Sequence, residues 1–576
     1  MGVDSFVVLV GDTAAALEAV VAPMRRRLAG AGWSCRVSHP FVAVYAPSDR
    51  LAITAGLDGH GVLIGQMFGN SGRATPTSEL AVLACRPLDA TAARRLVAER
   101  WGRYVLIRRT AGDTAILRDP SGAIEAVCWR RSGVTLIASS AAPVLDRLLP
   151  DDLALDWEAV ARLVGRGGEY RHSLALTKLT PIAGGELRVV GAGGSHGAQI
   201  WRPADIYRGG RDRPADLRSV VQTAVRSLAG DHRWIAEVSG GLDSAIVAAS
   251  LEPLQRDRVA AWVNHYVEHP EGDERAYARA VVARHSHGLT EVRREGLNLS
   301  AERLARTTDA FRPATNDIDT DYNDDIAVRV REGGAWGSLT GQGGDAVFFQ
   351  MPSPLIAFDE LQERGLWARP AAVHRIARWT RRSLWPSAWL RALQEHRRSR
   401  ADWDHPWLDD LKGVPPAKAL QISILAFCQT FQGQAARSRE GVCVNPLLSQ
   451  PVMEAGLSWS TVDLTWGGRD RFAARAAFKD VLPPSIYARR SKGELGAFYG
   501  EAVAGQLPFL KDYLLGGALA QAGLLDDLEP DLAREALLWR GGFSRLLTLA
   551  LTEAWIRRWT SRLAARSWPD GDRTSR

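Results

Sequence analysis

The segment Glu237-Val238-Ser239-Gly240-Gly241-Leu242-Asp243-Ser244 decides how this chain is read. It follows an apolar run, RWIAEV, that reads as a buried strand, and it leads into AIVAASLEPL, which has helical spacing. Two adjacent glycines let backbone approach an anion, the N–H groups of a helix start point at it, and Ser239 and Ser244 add hydroxyls. Asp243 adds negative charge beside that anion, a conflict that Mg²⁺ removes if the carboxylate holds the ion. An ordinary strand-to-helix turn is the plainer account of SGG alone, but the full SGGLDS between strand and helix favours a phosphate cradle.

Downstream, VAAWVNHYV and AWGSLTG read as strands, with ERAYARAVVARH as a helix between them. Strands alternating with helices imply parallel βαβ units and a doubly wound α/β sheet. Upstream, from residue 1 to about 200, short β-rich runs with turn punctuation (SFVVLV, VAVYA, HGVLIGQMF, YVLIRR, TAILRDPSG, VTLIASS, GELRVVGAG) predict an antiparallel, layered α+β domain. The Gly-, Arg-, Asp- and Pro-rich stretch 191–216 predicts the boundary between an N-terminal domain, 1–200, and a second domain, 205–576. From about 355 onward the pattern is mostly helical, ending in the amphipathic RLLTLALTEAWIRRW.

The 576 residues are 46% hydrophobic and 24% charged, enough for large cores, and the formal charge of +7 suits anionic partners without choosing among them. Five cysteines without a CxxC pair argue against structural zinc and for a reducing cytosol. The first apolar run, about five residues long, is too short for a signal peptide or a spanning helix. We therefore expect a cytoplasmic protein with no membrane partner. In the stretch 365–403, Trp379, Trp385 and Trp389 interleave with arginines; it reads as a peptide-gripping or partner-docking element or, equally, as amphipathic helices with Trp in the core, and not as a nucleic-acid site. The acidic run 314–326 reads as a solvated loop, with Tyr322 and Asp325 as first choices for substrate contact.

SGGLDS resembles the loop of N-type ATP pyrophosphatases, the group that includes asparagine synthetases, GMP synthetases and tRNA-thiolating enzymes. A second segment, Ser338-Leu339-Thr340-Gly341-Gln342-Gly343-Gly344-Asp345, resembles the SGEGADE segment of asparagine synthetases. The resemblance implies ATP and Mg²⁺ as cofactors, with Asp243 and Asp345 as metal ligands. It implies nucleotide contacts from Ser239, Gly240, Gly241, Asp243, Ser244, Gly341, Gln342 and Gly343. A third match, in 445–458 and 467–496, implies that Lys492 stabilises charge in acyl transfer. The fold implied is a doubly wound ATP-pyrophosphatase domain with a helical extension, preceded by an Ntn-hydrolase-like α+β sandwich.

That first domain is similar to the glutaminase domain of asparagine synthetases, most visibly at LRDPSGAIEAV (117–127), yet residue 2 is Gly where that family carries its cysteine nucleophile. Cys35 cannot substitute, so the domain should be glutaminase-dead. Gln342 stands where asparagine synthetases carry Glu and β-lactam synthetases carry Tyr, and an amide is no base. The amine then has to belong to the substrate. TGQGGDAVFFQ (340–350), HPWLDDLKGVPPAKALQI (405–422), NPLLSQPVMEA (445–455) and the 467–496 segment resemble lasso peptide macrolactam synthetases. This resemblance implies adenylation of an Asp or Glu side chain in a precursor peptide, attack by that peptide's N-terminal amine, and release of AMP and pyrophosphate. A leader-binding element and a leader peptidase are the implied partners. An asparagine synthetase, a β-lactam synthetase and an ATP-binding scaffold stay open as alternatives, and a tRNA-thiolating enzyme fits less well because no paired cysteines appear.

Overall fold

The protein is described by a computed structural model covering all residues except 1, 166–171, 211–214, 271, 284–287, 307, 384–385, 401–403, 491–492, 494, 527, 529–541 and 567–576. Its first twelve strands are Val7–Gly11 (β1), Ser34–Ser38 (β2), Val42–Ala46 (β3), Ile53–Ala55 (β4), Gly61–Gly69 (β5), Arg100–Arg109 (β6), Asp113–Arg118 (β7), Val127–Arg131 (β8), Val134–Ala138 (β9), Thr180–Pro181 (β10), Glu186–Gly191 (β11) and Gly194–Gln199 (β12). They form two six-stranded antiparallel sheets, ordered β10-β8-β9-β1-β3-β2 and β12-β11-β7-β6-β5-β4.

Period-two alternation decides which layer each side chain enters. Phe6, Val8 and Val10 meet Val62, Ile64, Val105, Ile107 and Ile116 between the two sheets. Val7 and Leu9, together with Leu136 and Ala138, face the opposite way onto helices. Because both faces are covered, these strands read as continuous apolar runs.

The second domain carries a five-stranded parallel sheet built from Trp234–Glu237 (β13), Val259–Tyr266 (β14), Leu289–Arg293 (β15), Gly337–Leu339 (β16) and Val442–Val444 (β17), in the order β15-β14-β13-β16-β17. Strand order reverses between β13 and β16, so the loops leaving their carboxyl ends open onto one crevice. The helix Leu217–Ala229 packs beside this sheet. Asp216 Oδ1 accepts from the amides of Arg218 and Ser219 at its start, Gly230 at φ +50° ends it, and Leu217, Val221, Ala224, Val225 and Leu228 bury one face.

Two expectations are corrected. The final helix, Phe543–Arg566, is not one-faced: Leu546, Leu549, Ala550, Leu551, Glu553, Trp555 and Ile556 are all buried. It is wedged against the N-terminal domain, where Arg562 pairs with Asp146, while buried Glu553 accepts from the amides of Ala518 (2.8 Å) and Leu519 (2.9 Å). The acidic run 314–326 is not a solvated loop either. Asp319 Oδ1 accepts from Tyr322 N at 3.0 Å and caps the helix Thr320–Glu332. Among the described residues no helix is long and apolar enough to cross a membrane.

Gly337 in β16 lies so close to β17 that an added Cβ would collide with the carbonyl of Val442. Gly337→Ala should therefore cost about 1–3 kcal/mol, read as a lower thermal midpoint by circular dichroism. An unchanged midpoint would mean that this sheet edge yields without cost.

Candidate active site

The loop after β13 is braced from within. Ser239 Oγ lies 3.2 Å from Ser244 Oγ and accepts from Gly241 N at 3.2 Å, and Ser244 Oγ accepts from Ser239 N at 3.2 Å. Gly240 has φ +84°, and a Cβ there would sit 2.7 Å from the Glu274 carbonyl, so the turn needs glycine. Glu274 also pairs with Arg489 (2.6 Å), which donates to the Gly240 carbonyl at 3.1 Å. The helix Leu242–Ser250 starts here with no side-chain cap, leaving its first amides for an anion.

The loop after β16 interlocks with this one. A Cβ on Gly341 would lie 2.5 Å from Ser244 N, and one on Gly344 would lie 2.5 Å from Asp243 Cγ. Gly343, at φ +88°, leaves no room between itself and the Leu448 side chain. Gln342 N donates to Thr340 Oγ1 at 3.1 Å, and Thr340 Oγ1 donates to Asn445 Oδ1 at 2.6 Å. Asn445 and Leu448 thus make the 445–455 segment a floor under the second loop.

This contact brings Asp243 and Asp345 together. Asp243 is 9% exposed, and one nitrogen serves both acids: Arg471 Nη1 lies 2.7 Å from Asp243 Oδ2 and 2.6 Å from Asp345 Oδ1. Arg471 is buried and also pairs with Asp470 at 2.9 Å. Gln350, with its amide oriented to donate, reaches Asp345 Oδ2 at 2.7 Å. Among the described residues no cluster of three or more His, Cys, Asp or Glu could hold a metal. Two carboxylates drawn to one point are the donor set Mg²⁺ uses when phosphates and water complete its shell, so the site fits that ion.

A cleft of about 440 Å³ opens beside the loops, lined by Ser239, Gln342, Glu237, Tyr322, Arg294 and Arg437 among others. Tyr322 OH donates to Glu237, whose other oxygen takes Arg437 Nη1 at 2.7 Å. Arg437 and Arg294 lie 4.8 and 5.5 Å from the Tyr322 ring centre. Thr315, Asn316, Ile318, Phe431 and Ser544 line both this cleft and a mainly apolar pocket of about 160 Å³ that reaches Leu163 and Ala175 of the N-terminal domain.

Tyr322 faces the cleft, whereas Asp325 points into a neighbouring recess. Burial alone would raise the Asp325 carboxyl, but hydrogen bonds from His265 (2.8 Å) and Arg329 (2.6 Å) hold it at about 2. Trp389 is 8% exposed and donates to the Ser383 carbonyl at 2.8 Å, so it is a core side chain, not a gripping one. Trp379 is half-buried, while Trp385 and Lys492 lie outside the described residues. Arg489 and Gly493, which flank Lys492 in sequence, both bind Glu274 behind the first loop. Arg471 was not singled out from sequence, although it stands in the quoted 467–496 segment. Its signal was only an arginine at the start of a short helix.

At the N-terminus, Gly2 is buried: a Cβ there would meet the Ser438 carbonyl at 3.3 Å, and Val3 N donates to that carbonyl at 2.7 Å. Cys35 sits exposed on β2, the edge strand of its sheet. Arg118 of the LRDPSG segment donates to the carbonyls of Gly122, Ile124 and Ile182 at 2.6 to 2.7 Å and so fastens a turn.

A family model described as asparagine synthase matches residues 216–557. No curated protein matches the chain. Among solved structures, the allosteric regulatory enzyme of purine biosynthesis is 10% identical over 50% of this chain and 80% of its own, with a TM-score of 0.23. Glutamine phosphoribosylpyrophosphate amidotransferase from B. subtilis, complexed with ADP and GMP, is 10% identical over 68% and 92%, with a TM-score of 0.22. Both superpositions are too loose to bear on the fold.

Gly344→Ala would drive a methyl into the Asp243 carboxylate and spread the acid pair. We expect Mg²⁺-dependent ATP affinity, read by calorimetry, to fall about tenfold or more. Equal affinity would show that the separation of the carboxylates is not critical.

Proposed function

This chain belongs to the asparagine synthase family, whose members are ATP-dependent, AMP-forming carbon–nitrogen ligases, and we propose that it closes the macrolactam ring of a lasso peptide. The observation that carries this reading is the convergence of the four resembling strings on the second loop. Residues 340–350 are that loop. Asn445 and Leu448 support it from the third string, Gln421 from the 405–422 string donates to the carbonyls of Ala346 (3.2 Å) and Val347 (2.8 Å), and Arg471 from the last grips Asp345.

The source of the amine agrees. We read the N-terminal domain as a glutaminase-like, Ntn-hydrolase-type sandwich that is silent toward glutamine, because Gly2, pressed against Ser438, offers no nucleophilic side chain. The nucleophile is then the substrate's own N-terminal amine. The apolar pocket that shares walls with the cleft gives a peptide room beyond its reacting ends.

In the reaction, the amides of Gly240, Gly241 and the helix start, with Ser239 and Ser244, hold the triphosphate, and Gly341, Gln342 and Gly343 close over it. Held by Asp243 and Asp345, Mg²⁺ would neutralise the departing pyrophosphate. The peptide's Asp or Glu carboxylate attacks the α-phosphate, giving an acyl-adenylate and pyrophosphate. The N-terminal amine then attacks the acyl carbon and AMP leaves. Lys492 stabilises the oxyanion of that step. Holding both peptide ends together supplies an effective concentration that a free chain lacks. A leader-binding element and a leader peptidase deliver the peptide.

The test is incubation with ATP, Mg²⁺, the candidate precursor encoded beside the gene and its leader peptidase, followed by intact mass and AMP. We expect peptide-dependent loss of one water with stoichiometric AMP. AMP formed only with aspartate and ammonia would reassign the chain to asparagine synthesis. In the same assay Lys492→Ala should lower kcat by about 10²–10³ while ATP binding persists, and a variant with normal kcat would remove Lys492 from the mechanism.

A further inference from the structure

Arg471 Nη1 donates to Asp243 Oδ2 at 2.7 Å and to Asp345 Oδ1 at 2.6 Å. A Mg²⁺ ion bound through those two oxygens at about 2.0–2.1 Å would bring a divalent charge beside the guanidinium that holds them, and the repulsion between the two cations drives the guanidinium away. Arg471 has a second anchor from which to move, because its Nε and Nη2 engage Asp470 Oδ2 at 2.9 Å. Its backbone sits at φ +50°, a left-handed conformation rare for a non-glycine residue, at the start of the helix Phe472–Ala477. The chain tolerates strain to aim this side chain at the acid pair.

Charge gives the reason. Asp243, Asp345 and Asp470 face Arg471 and Arg475, so three carboxylates against two guanidiniums leave one net negative charge around the buried Arg471 side chain. A bare divalent ion would have to break both short ion pairs and leave the guanidinium without a full counter-charge, which a buried site resists. A triphosphate on the adjacent loop changes this, because its oxygens offer the displaced guanidinium an anion.

We propose that Arg471 and Mg²⁺ compete for Asp243 and Asp345, so that the ion enters only with the nucleotide and Arg471 then turns onto the pyrophosphate portion. This rests on the assignment of the two aspartates as metal ligands, but not on the identity of the acyl acceptor.

The test is Mn²⁺ titration of the full-length protein by electron paramagnetic resonance, with and without α,β-methylene-ATP, which cannot be cleaved at the reacting bond. We expect wild-type protein to bind Mn²⁺ at least about tenfold more tightly with the nucleotide than without it, and Arg471→Met to gain at least about tenfold in nucleotide-free affinity. Nucleotide-free affinity unchanged in Arg471→Met, while Asp345→Asn abolishes nucleotide-dependent binding, would overturn the competition and leave the metal ligands standing. Nucleotide-dependent binding unchanged in Asp345→Asn would instead overturn the ligand assignment and the inference together. Should Arg471→Met not fold, the wild-type comparison decides alone: equal Mn²⁺ affinity with and without nucleotide refutes the proposal.

Discussion

Two carboxylates from different loops, buried Asp243 and half-buried Asp345, stand within reach of a single buried guanidinium nitrogen, and most of the second domain can be understood as what that requires. Asp243 and Asp345 would repel in a low-dielectric site, so their approach needs a cation held there by the fold. It also needs backbones without side chains in between, hence the glycines at 341 and 344 against Ser244 and Asp243. The second loop must then be held from below, which Leu448, Asn445 and Gln421 do. Gln421 is itself oriented by buried Lys418, whose Nζ donates to Gln421 Oε1 at 2.6 Å and to the Trp459 carbonyl at 2.6 Å. Burial pushes that ammonium down to about 7, partly offset by Asp359 and Glu363. A buried lysine is tolerated because its donors are used.

The N-terminal domain contributes to the same site through contact. Arg50 Nη1 donates to the carbonyls of Ala335, Trp336 and Glu440 at 3.1, 2.9 and 2.7 Å, and Trp407 Nε1 donates to Gly184 at 2.9 Å. Val3 N reaches the Ser438 carbonyl, and the neighbouring Arg437 reaches Glu237 at the end of β13. Ser438, which Val3 contacts, thus adjoins a residue of the cleft wall, Arg437. Removing the N-terminal domain would expose Val221 and Val225, which share a core with the outer face of β5, β6 and β7 (Leu63, Leu106, Leu117).

What the sequence made legible was local. Apolar runs marked β1, β3, β5, β6, β7, β9 and β11, because strands buried on both faces carry unbroken hydrophobic stretches. The short or exposed strands β2, β4, β10 and β12 escaped for the converse reason: Ser34–Ser38 and Gly194–Gln199 are mostly solvated and carry no pattern. The two glycine loops were legible because phosphate chemistry constrains neighbouring residues in the chain. The acidic run was misread because five aspartates suggest solvent, whereas Asp319 is a cap and Asp317 is buried; burial pushes its carboxyl up to about 7, although the hydrogen bond from the Ala436 amide works the other way. Arg471 was illegible because its partners lie 228 and 126 residues away, and nothing in its own neighbourhood foretells them.

The same contrast separates catalysis from selectivity in this fold. On the proposed reading adenylation uses a phosphate cradle and a paired-carboxylate metal site, which a few consecutive residues on two loops at one sheet edge would supply. On that reading the acceptor is chosen by shape, and that shape is assembled from distant pieces: Tyr322 from a helix, Phe431 from a turn, Ser544 from the final helix and Leu163 from the other domain. Such walls can change one contact at a time without disturbing the interlocked loops, since none of those four side chains touches Gly341, Gly343 or Gly344 in the close approaches that hold the loops together. A ligase built this way can keep its ATP chemistry constant while the nucleophile changes from ammonia to an amine carried by the substrate.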